Sequence, residues 1–330
     1  MNDPLVSVIL PVRNGGDLLA AAVQSILAQR DCAFELLVID DGSSDGTPAY
    51  LARLTDSRLR VLRREGGGLV AALNAGITAT KAPLIARMDA DDIALPDRLA
   101  RQAAVFAAEG DAAIVFSAVE MIDGAGRPAG RIEAPAMSAD ERRAVLLDER
   151  DGPPIIHPTV MFRRDVIEAL GGYREVPVAE DHDLWLRAVD RFAFRPIAEP
   201  LLRYRHHGGG VSRARAVEQS ISGLMNVVNF RVRRELGVDL FVDRSDLYAE
   251  LRGWVAERHA PFFGRVARAR QIRSDLKRGD RLGALIEGTK FAMSDAALLT
   301  RAGIRRATAC VREEARQRAL RMLYRTDDGS

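Results

Sequence analysis

Near its start the chain carries an apolar run followed by a glycine turn, Val6-Ser7-Val8-Ile9-Leu10-Pro11-Val12-Arg13-Asn14-Gly15-Gly16. The apolar part, Val6 to Pro11, has the length and the β-branched composition of a strand. Asp17 to Gln29 then spaces apolar side chains at helical intervals, as at Leu18, Ala22 and Ile26. The segment therefore predicts a strand, a turn and a helix.

The same alternation continues outward from this segment to about residue 110. Three apolar runs predict further strands, and one longer run predicts a helix. In chain order they are the strand Phe34 to Ile39, a weak strand at Val61 and Leu62, the helix Leu69 to Ala79 and the strand Leu84 to Met88. Strands joined by crossover helices lie parallel in one sheet that is covered on both faces. The sequence therefore predicts an α/β fold with a Rossmann-like sheet and flanking helices.

After residue 110 the predicted elements become more mixed. They are the strands Ala112 to Val119, Ile155 to Phe162 and Leu201 to Tyr204, a turn at Gly124 to Gly130, and helices at Ser138 to Leu147 and at Asp181 to about Asp190. From Ala214 onward helical periodicity dominates and arginine is frequent. We therefore expect a sheet domain over residues 1–212 and a mainly helical, basic region over residues 213–330.

The composition limits the classes of function. The 330 residues are 47% hydrophobic and 28% charged, which suits a chain with a large core rather than a disordered one. The net charge is only +2, so we expect no nucleic-acid partner. The charge is nevertheless segregated, because the last 120 residues carry 24 basic and 15 acidic side chains.

Cysteine usage and hydropathy indicate a compartment. Cys32 and Cys310 are far apart in sequence and have no second pair, so they predict neither a disulfide framework nor a thiolate metal site. The residues before Val6 lack the basic and apolar parts of a signal peptide, and no apolar run approaches the roughly 18 residues of a membrane span. We therefore expect a cytoplasmic protein.

Polar clusters come directly after three of the predicted strands. They are Arg13 with Asn14, Asp40 with Asp41, and Asp89-Ala90-Asp91-Asp92. In open α/β sheets, ligands bind outside the carboxyl ends of the strands. We therefore expect the three clusters to converge on one edge of the sheet.

The third cluster, Asp89-Ala90-Asp91-Asp92, has the ligand chemistry of a cation site. Mg²⁺ and Mn²⁺ prefer carboxylate oxygens, and Asp at alternate positions of an extended segment can supply two ligands. An isolated D-x-D pair is more often a solvated acidic turn. Both interpretations stay open for this segment taken alone.

Other polar segments also have structural alternatives. Asp41 is free to bind a ligand, whereas Ser43 to Thr47 suit a turn and a helix cap. Gly66-Gly67-Gly68 lets the backbone approach a phosphate closely, but it matches neither the P-loop nor the dinucleotide fingerprint. Glu180 and Asp181 begin a predicted helix, where a carboxylate either caps the helix or accepts a proton from a hydroxyl nucleophile.

Together these segments resemble the family 2 glycosyltransferases, which are inverting enzymes with a GT-A nucleotide-sugar-binding fold. The matching pieces recur in the family's order between residue 5 and about residue 212. They are Val6 to Asn14, Val38 to Thr47, Gly68 through Asn74-Ala75-Gly76, Arg87 to Asp92, His157 to Met161, Gly171 to Arg174, Glu180-Asp181, and Tyr204-Arg205 with His207. This ordered series is far more specific than any single motif.

The resemblance implies a role for each matching residue. The residues that it assigns to the nucleotide are Pro11, Val12, Arg13, Asn14, Asp41, Gly68, Asn74, Arg87, Asp89 and Ala90, with Asp41 on the base. It implies that Asp91 and Asp89, and more loosely His207, hold Mn²⁺ or Mg²⁺. Asp181, with Glu180 beside it, is the implied general base.

The function implied by the resemblance is metal-dependent, inverting transfer of a sugar from an NDP-sugar. A UDP-sugar is the first candidate for the donor. The implied acceptor is a hydroxyl of a glycan or lipid-linked glycan. A sugar nucleotidyltransferase is one alternative, but it needs a Gly-rich loop with downstream Arg and Lys, which Arg13-Asn14-Gly15-Gly16 does not supply. A non-catalytic nucleotide-sugar-binding module is the other. The presence of Asp91 and Asp181 disfavours it.

A basic run in the C-terminal region suggests one more contact. Its members are Arg265, Arg268, Arg270, Arg273, Lys277 and Arg278. Such a surface could meet anionic lipid head groups at the inner face of a membrane, near a lipid-linked acceptor. A solvated or oligomer-facing helix carries similar charge, so this alternative stays open.

Overall fold

The computed structural model describes residues 3–148, 155–206, 216–257 and 313–323. The chain divides into two compact units. Within the described part, the first unit comprises residues 3–146, 155–175 and 187–206, and the second comprises residues 147–148, 176–186, 216–257 and 313–323. The predicted domain boundary near residue 212 lies outside the described residues and stays a prediction.

The first unit alternates strands and helices. Its strands are β1 (Val6–Val12), β2 (Phe34–Asp41), β3 (Leu59–Arg64), β4 (Leu84–Arg87), β5 (Ile93–Ala94), β6 (Ala112–Asp123), β7 (Pro128–Ile132), β8 (Met161–Arg163) and β9 (Ala193–His206). Its helices are α1 (Leu18–Leu27), α2 (Thr47–Leu51), α3 (Leu69–Ala79), α4 (Arg98–Ala108), α5 (Ala139–Leu146) and α6 (Arg164–Ala169). Helix α7 (Glu180–Ala188) has residues in both units.

In the described residues the strands form one mixed sheet with the order β3-β2-β1-β4-β8-β6-β9-β5, and β7 pairs with β6. Strands β3, β2, β1 and β4 are mutually parallel, as the crossover argument predicts. Strand β8 runs antiparallel to both β4 and β6, whereas β9 runs parallel to β6. The parallel half places the carboxyl ends of β1, β2 and β4 at the same edge.

The core of the first unit lies on both faces of this sheet. Every residue of β1 is buried because the strand has neighbours on both sides and helices over both faces. Helix α1 buries the stripe Leu19, Ala22, Val23 and Ile26. The α/β class predicted from the alternating pattern is confirmed.

One of the predicted elements is wrong, and another is shorter than predicted. Ile155 to Phe162 does not form one strand, because a 3-10 turn occupies His157–Thr159 and only β8 follows it. Proline suits the first turn of a helix and cannot donate to a strand ladder, which explains the turn at Pro158. The predicted turn at Gly124 to Gly130 is shorter than expected, since the chain already pairs with β6 from Pro128 onward.

The second unit is helical in its described part, as the sequence predicts. Helix α8 (Ala216–Leu236) is accompanied by helical residues 245–257 and 313–323. Their apolar side chains share one cluster, which includes Leu224, Met225, Val228, Leu251, Val255, Ala315 and Ala319. The basic run from Arg265 to Arg278 lies outside the described residues. Within the residues that the structure describes, no helix is both long and apolar enough to span a membrane.

Gly76 brings helix α3 close to the sheet, and this contact can be tested. A Cβ atom at this position would lie 2.6 Å from Cγ2 of Ile9 and 3.0 Å from Cδ1 of Ile39. We expect Gly76→Ala to lower the free energy of unfolding by about 1–3 kcal/mol, because overpacking outweighs the gain in helix propensity. Chemical denaturation measures the change.

The control for this experiment is Thr78→Ala, at an exposed position of the same helix. Its effect on the free energy of unfolding should stay within about 0.5 kcal/mol. Equal losses in the two variants would contradict the packing argument.

Candidate active site

The loops that follow β1 and β2 are bound to each other by hydrogen bonds. The backbone N–H of Asn14 donates to Oγ of Ser43 (2.9 Å), and the backbone N–H of Ser44 donates to Oδ1 of Asn14 (2.8 Å). Asn14 itself has a positive φ of 56°. The predicted site residue Asn14 therefore holds the two loops together, and its role toward a nucleotide stays a prediction.

The other predicted residues of the first loop differ in exposure. Pro11 and Val12 are buried at the end of β1, and Val12 belongs to the apolar core. Arg13 is exposed beside them. Of these three side chains, Arg13 is the one that solvent reaches.

Asp41 joins the end of β2 to the glycine loop. Its Oδ2 accepts a hydrogen bond from the backbone N–H of Gly68 (2.7 Å), and its Oδ1 accepts one from Nε of Arg64 (3.2 Å). Gly68 has a φ of 87°, which glycine tolerates, and it stands immediately before helix α3. A carboxylate oxygen carries two lone pairs, so Asp41 can still accept a further hydrogen bond.

Asp89, Asp91 and Asp92 form a carboxylate cluster directly after β4. One oxygen of each residue lies within 4.8 Å of the others. Asp89 and Asp91 are half-buried, whereas Asp92 is 1% exposed. Ala90 lies between them and packs against the apolar core. The structure thus brings together two of the predicted metal ligands and a third carboxylate that the sequence analysis left without a role.

The carboxylate cluster has the properties of a cation site. Burial, together with the charges of Asp89 and Asp91, holds the pKa of Asp92 well above its ordinary value. Oδ2 of Asp92 is buried and has no hydrogen-bond partner within the part of the chain that the structure describes. A divalent cation would relieve the repulsion and supply the missing partner, so these residues fit Mn²⁺ or Mg²⁺. The third predicted ligand, His207, lies outside the described residues.

Two buried arginines contact the cluster or the strand that leads to it: Arg87 ends β4 and Arg98 begins α4. Arg87 forms an ion pair with Asp89. Burial alone would lower the pKa of Arg87, but the negative charge of Asp89 raises it above its ordinary value. Arg98 donates from Nη2 to the carbonyl oxygen of Arg87 (2.7 Å). Burial lowers the pKa of Arg98 to about 9, which leaves it charged at neutral pH. Arg87 is only 4% exposed. Its predicted role on the diphosphate stays a prediction.

Asn74 connects helix α3 to the loop after α6. Its Nδ2 donates to the carbonyl oxygen of Tyr173 (2.8 Å), and its Oδ1 accepts from the backbone N–H of Tyr173 (2.9 Å). The Tyr173 hydroxyl is in turn hydrogen-bonded to Nε2 of His157 (2.7 Å). Asn74 therefore has a structural role in the first unit, and its assignment to the nucleotide stays a prediction.

Glu180 and Asp181 lie in the first turn of α7, within the second unit. Both are half-buried, and Oδ1 of Asp181 accepts a hydrogen bond from the backbone N–H of His182 (2.8 Å). The preceding Ala179 has a positive φ of 62°, and its carbonyl oxygen accepts from Nδ2 of Asn226 (3.0 Å). The role of Asp181 toward the carboxylate cluster of the first unit stays a prediction.

Sequence reasoning gave no role to Arg98, Asp92 or Arg205. Asp92 is a member of the cluster. Arg98 donates to the carbonyl oxygen of Arg87, and Arg205 donates to Asp91 and Asp92. Arg98 is fully buried in α4 and nothing near it in sequence marks it as special. Arg205 stands in the segment that carries the resemblance, so its position was a usable signal. Asp92 belongs to the acidic run Asp89-Ala90-Asp91-Asp92, but the sequence does not show that it is buried.

Comparison with known proteins finds a matching family model and several relatives. The sequence model described as Glycosyl transferase family 2 matches residues 7–171. The O-antigen biosynthesis glycosyltransferase WbnJ of Escherichia coli is 31% identical over 216 residues, which cover 64% of this chain and 83% of that protein. The succinoglycan biosynthesis protein ExoO of Rhizobium meliloti is 33% identical over 173 residues, covering 49% and 44%.

Solved structures show the same fold at low sequence identity. S. aureus TarS 1-349 in complex with UDP-GlcNAc has a TM-score of 0.58 at 16% identity, covering 94% of this chain and 91% of that one. Mannosyltransferase PcManGT from Pyrobaculum calidifontis, in complex with GDP-Man and Mn²⁺, has a TM-score of 0.52 at 18% identity, covering 96% and 88%. The predicted GT-A fold is confirmed by these likenesses.

The burial of His157 gives a pH-dependent contribution to stability. Burial, and then the charge of Arg87, keep the pKa of His157 well below its ordinary value of 6.5. Below pH 6.5 the unfolded chain therefore binds a proton that the folded chain does not. We expect wild type to lose stability relative to His157→Gln as the pH falls, by up to about 1.4 kcal/mol per pH unit.

Denaturation curves between pH 5 and pH 8 measure this difference. Tyr173→Phe is the control, because it removes the hydroxyl but leaves the imidazole buried, so its pH dependence should resemble that of wild type. Parallel curves for wild type and His157→Gln would show that the buried imidazole is not the cause.

Proposed function

The chain belongs to glycosyl transferase family 2, and we propose that it is a metal-dependent, inverting glycosyltransferase. The proposed donor is an NDP-sugar, and a UDP-sugar is the first candidate. The proposed acceptor is a hydroxyl of a glycan or a lipid-linked glycan. Support for the donor comes from structures of the same fold that carry UDP-GlcNAc or GDP-Man. Support for the acceptor comes from relatives named for O-antigen and succinoglycan biosynthesis.

The observation that carries this proposal is the carboxylate cluster at the carboxyl ends of the parallel strands. It directly follows β4, which pairs in parallel with β1, as β1 does with β2. Asp89 and Asp91 would hold the cation, with the buried Asp92 beside them. When bound, Mn²⁺ or Mg²⁺ supplies positive charge that stabilises the departing nucleoside diphosphate.

The loops after β1 and β2 would receive the nucleoside. Asp41 is held by Gly68 and Arg64, so its carboxylate is already oriented before a ligand arrives. An ionised carboxylate is a strong acceptor for an N–H group of a nucleobase. Because the loops are tied to each other through Asn14, little ordering remains to be done on binding.

Asp181 is the proposed general base. The acceptor oxygen forms a bond to C1 of the sugar, and the bond from C1 to the phosphate oxygen breaks. The proton of the acceptor hydroxyl goes to the Asp181 carboxylate, and the nucleoside diphosphate leaves with the electron pair. Attack from the face opposite the leaving group inverts the configuration at C1. The position of Asp181 at a helix N-terminus favours its ionised form, which is the form a base needs.

A metal-dependent reaction makes a direct prediction for Asp91. In a screen of UDP-sugars and GDP-sugars, excess EDTA should abolish hydrolysis and transfer, and added Mn²⁺ should restore them. Asp91→Asn should lower turnover about 100-fold or more, since it removes a charged ligand. The control is Asp111→Asn, whose carboxylate is exposed and pairs with Arg195. Full activity in EDTA would refute the metal role.

A general base at Asp181 predicts a separation of binding from turnover. Asp181→Asn should lower turnover by about 10²–10⁴, the usual worth of a general base, while nucleotide affinity stays within about twofold of wild type. Calorimetry with UDP or GDP measures the affinity, and product formation measures the turnover. Asp190→Asn, on the exposed segment after α7, is the control. Equal losses of affinity and turnover would indicate a structural role instead.

A further inference from the structure

We propose that Arg205 is a positioning residue that holds the carboxylate cluster in the arrangement needed by a divalent cation. The inference rests on the proposed metal-dependent function. It concerns a residue that contacts the loop of the cluster rather than the substrate.

Arg205 binds the cluster through two different groups. Its backbone N–H donates to Oδ1 of Asp92 (2.8 Å), and its Nε donates to the carbonyl oxygen of Asp91 (2.8 Å). Arg205 is 8% exposed and lies near the end of β9, more than 110 residues away in sequence. One residue therefore fixes both a carboxylate of the cluster and the backbone of its loop.

The other end of the Arg205 guanidinium is anchored in the turn between β6 and β7. Its Nη1 donates to the carbonyl oxygens of Asp123 and Gly124, each at 3.2 Å. This turn is itself fixed, because Oδ1 of Asp123 accepts hydrogen bonds from the backbone N–H groups of Ala125 and Arg127. A planar guanidinium with several fixed donors can join two loops in this way, whereas a lysine ammonium cannot reproduce its geometry.

The cluster needs such support because its members repel one another. Three carboxylates with oxygens within 4.8 Å favour a more open loop unless other contacts oppose the separation. The hydrogen bonds from Arg205 to Asp91 and Asp92 oppose this separation of the carboxylates. Residues that orient metal ligands in this way commonly change metal affinity by about 10- to 100-fold when they are replaced.

Charge and positioning predict opposite results for the loss of Arg205. If only its positive charge mattered, removing it would strengthen the binding of a cation to the nearby carboxylates. If the hydrogen bonds of its guanidinium hold the loop, removing the side chain weakens that binding, although the backbone N–H of residue 205 still donates to Asp92. The sign of the change therefore separates the two explanations.

The test uses the full chain without added nucleotide and Mn²⁺ as the probe. Free Mn²⁺ is measured by electron paramagnetic resonance for wild type, Arg205→Met, Arg205→Lys and the control Arg203→Met. Arg203 lies on the same strand, is about half exposed and pairs with Glu120. We expect Kd to rise about 10- to 100-fold in Arg205→Met, to rise less in Arg205→Lys and to stay within about twofold in Arg203→Met.

Hydrogen exchange of the metal-free proteins provides a second readout that does not depend on the cation. Backbone amides of residues 88–92 should exchange faster in Arg205→Met than in wild type, with no such change in Arg203→Met. If Arg205→Met does not fold, Arg205→Lys decides in the same two measurements.

Two results would overturn the proposal: Mn²⁺ binding by the Arg205 variants that equals or exceeds that of wild type, or unchanged exchange at residues 88–92. Failure of the wild-type chain to bind Mn²⁺ both alone and in the presence of UDP or GDP would instead overturn the metal-dependent function. The exchange data would then still report whether Arg205 holds the loop.

Discussion

Mutual repulsion among three carboxylates at the end of β4 is the constraint on which the first unit depends. Burying charges is unfavourable unless they are paired, and Asp92 is almost completely buried. Positive groups and hydrogen-bond donors from other segments contact the cluster or the strand that leads to it. Arg87 pairs with Asp89, Arg98 donates to the carbonyl oxygen of Arg87, and Arg205 in β9 donates to the carbonyl oxygen of Asp91. These contacts hold the three carboxylates close together.

The sheet order determines where the cluster lies in the first unit. Strand β4 lies between β1 and β8, so the acidic loop begins in the interior of the sheet rather than at its margin. The antiparallel β8 and the 3-10 turn before it bring His157 close to Arg87, and the charge of Arg87 helps to keep the imidazole neutral. Segments that carry the family resemblance, such as His157 to Met161, therefore also form structural contacts near Arg87. A substitution there can reduce activity through packing alone.

Several predicted nucleotide residues form hydrogen bonds inside the protein. Asn14 joins the loops after β1 and β2, Asp41 holds Gly68, and Asn74 holds the backbone of Tyr173. Such contacts fix the loops before a ligand binds, which lowers the entropy cost of binding. Structural and ligand-binding duties are thus compatible in one side chain, especially in a carboxylate with spare lone pairs.

The sequence by itself determined the α/β class, the parallel strands β1 to β4, the helices α1 and α3, and the grouping of Asp41 and Asp89 to Asp92 at strand ends. These features depend on the spacing of neighbouring residues and on turn chemistry, which a single chain displays directly. Only the tertiary structure decided the pairing of β6 with β9 and the supporting roles of Arg98 and Arg205. Those features depend on which distant segments meet, and on burial that changes the energy of a charge, and neither property is local to the sequence.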